Sequence, residues 1–145
     1  MKYIFVLIEG EHSLKDYLYS IKVPISLIVI NFLIANFYYA LLPVKYGEPL
    51  FNAGRMVVII FAGWFVITRD IGNLWRAALS GTTLYFIDHV VLRGGIFLVA
   101  YLFNTDGPGL MAFGRVLVTF VIFSPLTMLL GFAGGLLGKW KNKRL

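Results

Sequence analysis

The chain has 145 residues, of which 59% are apolar, 17% are aromatic and 14% are charged, and its formal net charge is +6. A soluble domain of this length carries about a quarter charged residues, so the composition excludes an ordinary soluble enzyme and a disordered chain. The mean hydropathy of +0.83 indicates an integral membrane protein instead. Cysteine is absent, which excludes disulfides, thiolate metal ligands and a cysteine nucleophile.

The first 22 residues precede the first long apolar stretch. Their apolar run from Tyr3 to Ile8 is too short for the core of a signal peptide. Apolar residues then recur at the i, i+3, i+4 and i+7 spacing of an amphipathic helix, at Leu14, Tyr17, Leu18 and Ile21. This spacing predicts either a short helix lying in the membrane interface or a simple extension of the first membrane helix into the cytoplasm.

Four apolar stretches then reach the length of about 20 residues that a membrane-spanning helix requires. They cover residues 23–43, 50–70, 77–103 and 109–138. Pro43 and the region of Pro49 predict a short loop after the first stretch, and residues 104–109 form a dense turn signal before the last. We therefore predict a single all-α domain, residues 1–145, built as a four-helix transmembrane bundle with an interfacial N-terminal helix and a basic tail over residues 139–145.

The basic residues near the ends of these stretches predict the orientation in the membrane. With four spans, most of them share one side, namely Lys2, Lys15, Lys22, Arg69, Arg76, Lys139, Lys141, Lys143 and Arg144. Cytoplasmic loops carry an excess of Lys and Arg, so both termini are expected in the cytoplasm, with the protein in the cell (inner) membrane. The positive charge is then a topology signal, and no nucleic-acid partner is implied.

The third stretch contains the strongest cluster of polar residues within the apolar segments. At 100° per residue, one helix face would carry Thr82, Tyr85, His89 and Arg93, and Asp88 would flank it. Ionisable groups at this depth are costly, so they must face protein or water. Asp88 is therefore expected either to have a partner or to be protonated.

Three arginines lie within the apolar stretches, each on a different predicted helix. Arg55, Arg93 and Arg115 are all expected in the outer half of the bundle, where Asp88 is the one acid at comparable depth. Because guanidinium groups match phosphate and carboxylate, we predict a binding site for an anion or a lipid phosphate formed by these arginines and His89. The alternatives are that Arg55 and Arg115 snorkel to the outer headgroups and that Arg93 only neutralises Asp88 or approaches Tyr85.

Small and amide residues in the first and last stretches predict helix packing. Two small-xxx-small pairs overlap in the last stretch, Gly131 with Gly135 and Gly134 with Gly138. Such a surface permits close helix approach, either between subunits, which we slightly favour, or within one bundle. Asn31 and Asn36 are expected to bridge helices, and Ser124-Pro125 is expected to bend the last helix.

These features predict three competing functions. The first is a non-enzymatic transport or channel-type protein, and the second is a structural or assembly subunit of a membrane complex. The third is an intramembrane enzyme acting on a lipid-linked phosphate, although no catalytic residue can be assigned. No metal or cofactor is predicted, since His12 and His89 are the only imidazoles. Membrane lipids are expected partners, and a chain this small is expected to form a homo-oligomer or to join a larger complex.

Overall fold

The computed structural model describes residues 17, 19, 21–41, 44–69, 73–103 and 109–142, and every element in these ranges is a helix. In chain order the helices are α1 (Lys22–Leu41), α2 (Val44–Thr68), α3 (Leu74–Tyr85), a π-helical segment (Phe86–Gly94), α4 (Gly95–Phe103) and α5 (Gly109–Asn142). The elements from α3 to α4 follow one another without a break. They form one long helical rod, which we call the central rod.

Three helical stretches in the described residues are long and apolar enough to cross a membrane. They are Glu48–Thr68, Leu74–Phe103 and Leu110–Asn142, while the apolar part of α1, Lys22–Tyr38, is shorter. The apolar composition and the internally hydrogen-bonded backbone of these helices indicate a membrane protein. The predicted interfacial helix before residue 22 and the predicted turn over residues 104–108 lie outside the described residues, apart from Tyr17 and Tyr19.

Two helices begin earlier in the chain than the apolar stretches suggest. The central rod begins at Leu74, because the Asn73 side chain accepts a hydrogen bond from the Arg76 backbone N–H at 3.0 Å and so caps the first turn. Helix α2 begins at Val44 and contains Pro49, which the sequence places at the edge of a loop. Pro49 has no N–H, so the carbonyl four residues earlier, that of Lys45, loses its helical hydrogen bond. Because that carbonyl lies in the first turn, the rest of α2 can form normally.

Helix α5 packs closely against α2 and α3 through glycines. A Cβ atom added at Gly131 would collide with the Ala77 carbonyl on α3, and one added at Gly134 would collide with the Ile60 carbonyl on α2. At Gly135 and Gly138, an added Cβ would lie 2.7 Å and 3.0 Å from its nearest neighbours on α3 and α2, respectively. These four glycines of α5 therefore face helices of the same chain. The sequence slightly favours contact between subunits at this surface, and the structure shows contact within one bundle instead.

Replacing Gly131 with alanine is expected to destabilise the bundle by about 1–3 kcal/mol, because the new methyl group meets backbone that has no room to move. Gly114 on the same helix is the matched control, since a Cβ there has no neighbour within 4 Å. Gly114→Ala is expected to be neutral or slightly stabilising. Reversible unfolding of both variants in mixed micelles measures the difference, and equal stabilities would contradict the packing described here.

Pro125 lies inside α5, where a proline removes the hydrogen bond to the carbonyl four residues earlier. That carbonyl belongs to Val121, and the Ser124 hydroxyl donates a hydrogen bond to it at 3.1 Å. Ser124 therefore satisfies the acceptor that its neighbouring proline leaves open, as serine and threonine side chains do in membrane helices. This pairing explains how α5 continues through Pro125 to Asn142.

Ser124→Ala is expected to destabilise the protein by about 1 kcal/mol, because the Val121 carbonyl loses its donor. Ser26 on α1 is the matched control: its hydroxyl donates to the Lys22 carbonyl at 3.0 Å, but no proline deprives that carbonyl of its backbone donor. Ser26→Ala should leave stability unchanged within about 0.5 kcal/mol. Chemical unfolding of the two variants side by side tests this, and a loss of equal size in both would contradict the role given to Ser124.

Candidate functional site: an intramembrane charge cluster

The π-helical segment of the central rod positions the candidate site. Asp88 and Arg93 are five residues apart, a separation that places side chains about 140° apart on an α-helix. In a π-helix the backbone bonds join residues i and i+5, so these two side chains come to lie on one side of the rod. The helical stripe predicted at 100° per residue therefore does not describe this segment.

The Asp88 carboxylate is fully buried and lies between two guanidinium groups. Its Oδ2 atom is 2.7 Å from Nε of Arg55 on α2 and 3.8 Å from Nε of Arg93. The Arg55 side chain is 12% exposed and the Arg93 side chain is 33% exposed. Arg55 is therefore the closer partner of Asp88 and lies inside the bundle, where the alternative of snorkelling to the headgroups does not hold. Arg93 neutralises Asp88 from a greater distance.

The side chains of Tyr85 and His89 stack on each other beside this cluster. Their ring centroids are 5.1 Å apart with 14° between the ring planes, and Tyr85 also stacks on Phe120 of α5 at 5.8 Å. Tyr85 thus contributes a ring contact with His89. Both ring nitrogens of His89 and the Thr82 hydroxyl are buried and have no hydrogen-bond partner among the described residues. Buried polar atoms without partners are rare, so each requires an explanation.

Two cavities adjoin the cluster and share His89 in their walls. The first, which we call the α2–α5 cavity, has a volume of about 330 Å³. It is lined by Glu48, Asn52, Arg55, Met56, Ile59, Tyr85, His89, Thr119, Phe123, Leu126, Thr127 and Leu130. The second, which we call the α1–α4 cavity, has a volume of about 390 Å³ and is lined by Phe32, Asn36, His89, Arg93, Ile96, Phe97 and Val116. Arg55 and Arg93 therefore face different cavities, and His89 lines both.

The third predicted arginine lies elsewhere. Arg115 is exposed on α5 and lines neither cavity. The structure therefore does not bring Arg55, Arg93 and Arg115 together in one cavity. The reason is rotational: Val116, the neighbour of Arg115, points inward to the α1–α4 cavity, and adjacent helical residues diverge by about 100°.

The two asparagines of α1 have different contacts. Asn31 donates a hydrogen bond to the Phe51 carbonyl of α2 at 3.4 Å, so it bridges two helices. Asn36 donates to the Phe32 carbonyl of its own helix at 2.8 Å and lines the α1–α4 cavity together with Arg93. Among the described contacts, Asn36 therefore lines the cavity and does not form the predicted bridge between helices.

Sequence reasoning missed the polar end of the α2–α5 cavity. Glu48 and Asn52 line it together with Arg55, and these three residues follow the i, i+4 and i+7 spacing of one helical face. That spacing was a usable signal, but the predicted second span began at residue 50 and left Glu48 outside it. Thr119 and Thr127 add two hydroxyl groups from α5, which no motif in the sequence marks.

The chemistry that this arrangement offers is that of a guanidinium group beside a cavity. Arg93 and Asn36 line a cavity whose other walls are mainly apolar, and guanidinium groups bind carboxylate and phosphate by charge-assisted hydrogen bonds. No group of three metal-ligating side chains occurs within the described ranges. The cluster belongs to a helical membrane protein with a charged interior. Comparisons with protein families, curated proteins and solved structures give no match to this chain.

Proposed function

We propose that the chain is a non-enzymatic transport or channel-type protein with four transmembrane helices, which binds an anion or a lipid phosphate at an intramembrane site. The observation that carries the proposal is the position of Arg93, whose guanidinium lines the α1–α4 cavity while Arg55 makes the closer contact with Asp88. Arg93 thereby offers a positive group to a ligand without leaving Asp88 unbalanced. His89 and Asn36 supply further polar atoms to the same cavity.

The proposal extends to location and assembly. The basic ends of the helices, including Arg69, Arg76, Lys139 and Lys141, favour the cell (inner) membrane with both termini in the cytoplasm. Between 11% and 33% of the most apolar window of each candidate span is buried within the chain. The remaining apolar surface is available to membrane lipids and to further copies or other subunits, in keeping with a homo-oligomer or a place in a membrane complex.

A structural or assembly subunit is the second candidate, and one observation favours it. The Asp88–Arg55 pair is almost completely buried, as expected for a pair that holds helices together. In that case Arg93 would serve only as a second counter-charge to Asp88. The two candidates predict different effects of removing Arg93. An anion-binding protein would lose its activity, whereas a structural subunit would still assemble because it needs no anion.

The test is reconstitution of the purified protein into phosphatidylcholine vesicles, with uptake of radiolabelled acetate and of inorganic phosphate as readouts. Native mass spectrometry of the detergent-extracted protein reports retained lipid in parallel. Uptake of either probe above that of empty vesicles supports a free-anion substrate, and specific retention of a phosphate-bearing lipid supports a lipid headgroup. If neither uptake nor lipid retention is observed, the proposal is contradicted and the structural role is favoured.

A further inference from the structure

Three aromatic rings form one surface near the Thr68 end of α2. The Phe61 ring is stacked on the Trp64 ring at a centroid distance of 5.4 Å, and it packs against the Phe65 ring at 5.5 Å. Their i, i+3 and i+4 spacing places the three side chains on one face of the helix, and each of them is partly exposed. We call these three rings the aromatic patch.

Two cations lie against the aromatic patch. The ammonium group of Lys141 on α5 is 5.0 Å from the centroid of the Trp64 ring. The guanidinium carbon of Arg69, which directly follows α2, is 4.8 Å from the centroid of the Phe65 ring. Both distances are those of a cation–π contact, so each positive charge is held beside a ring. Among the residues that the structure describes, neither Lys141 nor Arg69 has a carboxylate partner.

The charge around the aromatic patch is strongly positive in the sequence as well. Residues 64–76 and 138–145 contain the ends of α2 and α5 and the start of the central rod, and they include one acidic residue, Asp70. The same two segments include six basic residues, namely Arg69, Arg76, Lys139, Lys141, Lys143 and Arg144. An anion is therefore the complementary partner, whereas the ammonium group of a zwitterionic lipid would meet mainly basic residues.

From these contacts and charges we propose that the aromatic patch binds an anionic glycerophospholipid, whose phosphate contacts Arg69 and Lys141 and whose acyl chain lies along the rings. Phe61 precedes Arg69 by eight residues, which is about 12 Å along the helix axis, so apolar rings continue from the cations along α2. A soluble anion would contact the cations and leave this apolar surface uncovered. The lipid site lies apart from the α1–α4 cavity and does not depend on the function proposed above.

Quenching of Trp64 fluorescence by brominated lipids tests this proposal at the patch itself. The chain has three tryptophans, so Trp75→Phe with Trp140→Phe leaves Trp64 as the only one. This protein is reconstituted into phosphatidylcholine vesicles that contain increasing fractions of chain-brominated phosphatidylglycerol or, for comparison, chain-brominated phosphatidylcholine. Each Lys or Arg near a membrane surface strengthens association with anionic lipid about fivefold, so two cations should give phosphatidylglycerol a preference of up to about thirtyfold.

Substitution of the two cations should remove this preference. Arg69→Gln and Lys141→Gln should each lower it by about fivefold, and the double variant should bring it close to that of phosphatidylcholine. Lys139→Gln is the matched control, because Lys139 carries the same charge on the same helix but lies about 200° away around the helix axis. At about 0.15 M salt the Debye length is about 8 Å, so the effect of Lys139→Gln should stay within about twofold.

Three results would overturn the proposal. Equal losses in Lys141→Gln and Lys139→Gln would show a general attraction of positive charge and no site at the rings. Equal quenching by the two brominated lipids would show that the patch does not select an anionic headgroup. Absence of quenching by both lipids would show that protein, such as a second copy of the chain, covers the rings.

Native mass spectrometry keeps the proposal testable if the single-tryptophan protein does not fold. The otherwise unmodified protein, extracted from vesicles that contain both lipids, should retain phosphatidylglycerol, and Arg69→Gln with Lys141→Gln should lose it. Arg93→Leu should keep the lipid, since Arg93 lines the α1–α4 cavity. Lipid that is lost in Arg93→Leu but kept in the double glutamine variant would belong to the intramembrane site, and the proposal for the aromatic patch would be overturned.

Discussion

Replacing Arg55 with leucine is expected to destabilise the protein by about 3–5 kcal/mol, the range found when one partner of a buried ion pair is removed. Arg55 Nε lies 2.7 Å from Asp88 Oδ2, and the carboxylate is fully buried. Without Arg55, the nearest described cationic partner is Arg93, whose Nε is 3.8 Å away and whose side chain is more exposed. The carboxylate must then remain poorly compensated or take up a proton, and both outcomes reduce the stability of the folded state.

The double variant Arg55→Leu with Asp88→Leu distinguishes the contribution of the ion pair as a whole from the cost of leaving one of its charges unpaired. Replacement of both partners by apolar residues is often neutral or stabilising, so the double variant should recover most of the stability lost in either single variant. Arg115→Leu is the control, since Arg115 is exposed and lines neither cavity; its effect should stay within about 0.5 kcal/mol. Unfolding in mixed micelles provides the four free energies of the double-mutant cycle. A single Arg55→Leu variant as stable as Arg115→Leu would show that the pair does not hold α2 to the rod.

Replacing Arg93 with leucine is expected to weaken anion binding by about 10- to 150-fold and leave the fold intact. A hydrogen bond to a charged group contributes about 1.5–3 kcal/mol, which corresponds to that range of affinity. The fold should survive because Arg55 remains as the closer partner of Asp88. Arg93→Lys should bind with intermediate affinity, since it keeps the charge but loses the planar donor geometry of the guanidinium.

The measurement is the binding or uptake of acetate and inorganic phosphate by protein that elutes as a single species after reconstitution. Arg115→Leu again serves as the control, because it removes the same charge from an exposed position of α5. Loss of activity in both Arg93→Leu and Arg115→Leu would indicate a general effect of positive charge near the membrane surface. Full activity of a well-folded Arg93→Leu protein would contradict the anion site and favour the structural role of the cluster.

Composition and apolar length by themselves determined the class of the protein. A backbone that crosses a bilayer must satisfy its polar groups within the segment, so long apolar stretches predict helices almost independently of their neighbours. The cost of charge in lipid likewise marks Asp88, His89, Arg55, Arg93 and Arg115 as candidate site residues without any knowledge of contacts. Both conclusions depend on local properties of the chain, and within the described residues the structure has a helix in each predicted stretch, three of which are long and apolar enough to cross a membrane.

The partners within the site were decided only by the tertiary structure. Arg55 and Asp88 lie on different elements, so their contact depends on how α2 and the rod are rotated against each other. Arg115 has the same side chain as Arg55 and lies at similar predicted depth, yet the rotation of α5 leaves it outside both cavities. The π-helical segment also changes the angle between successive side chains, which a wheel drawn for an α-helix does not anticipate. Helix rotation and local helix type arise from packing across the whole bundle. The glycines of α5, which allow α2 and α3 to come close, are part of that packing. Contacts of this kind depend on several segments at once, so the sequence of one segment does not predict them.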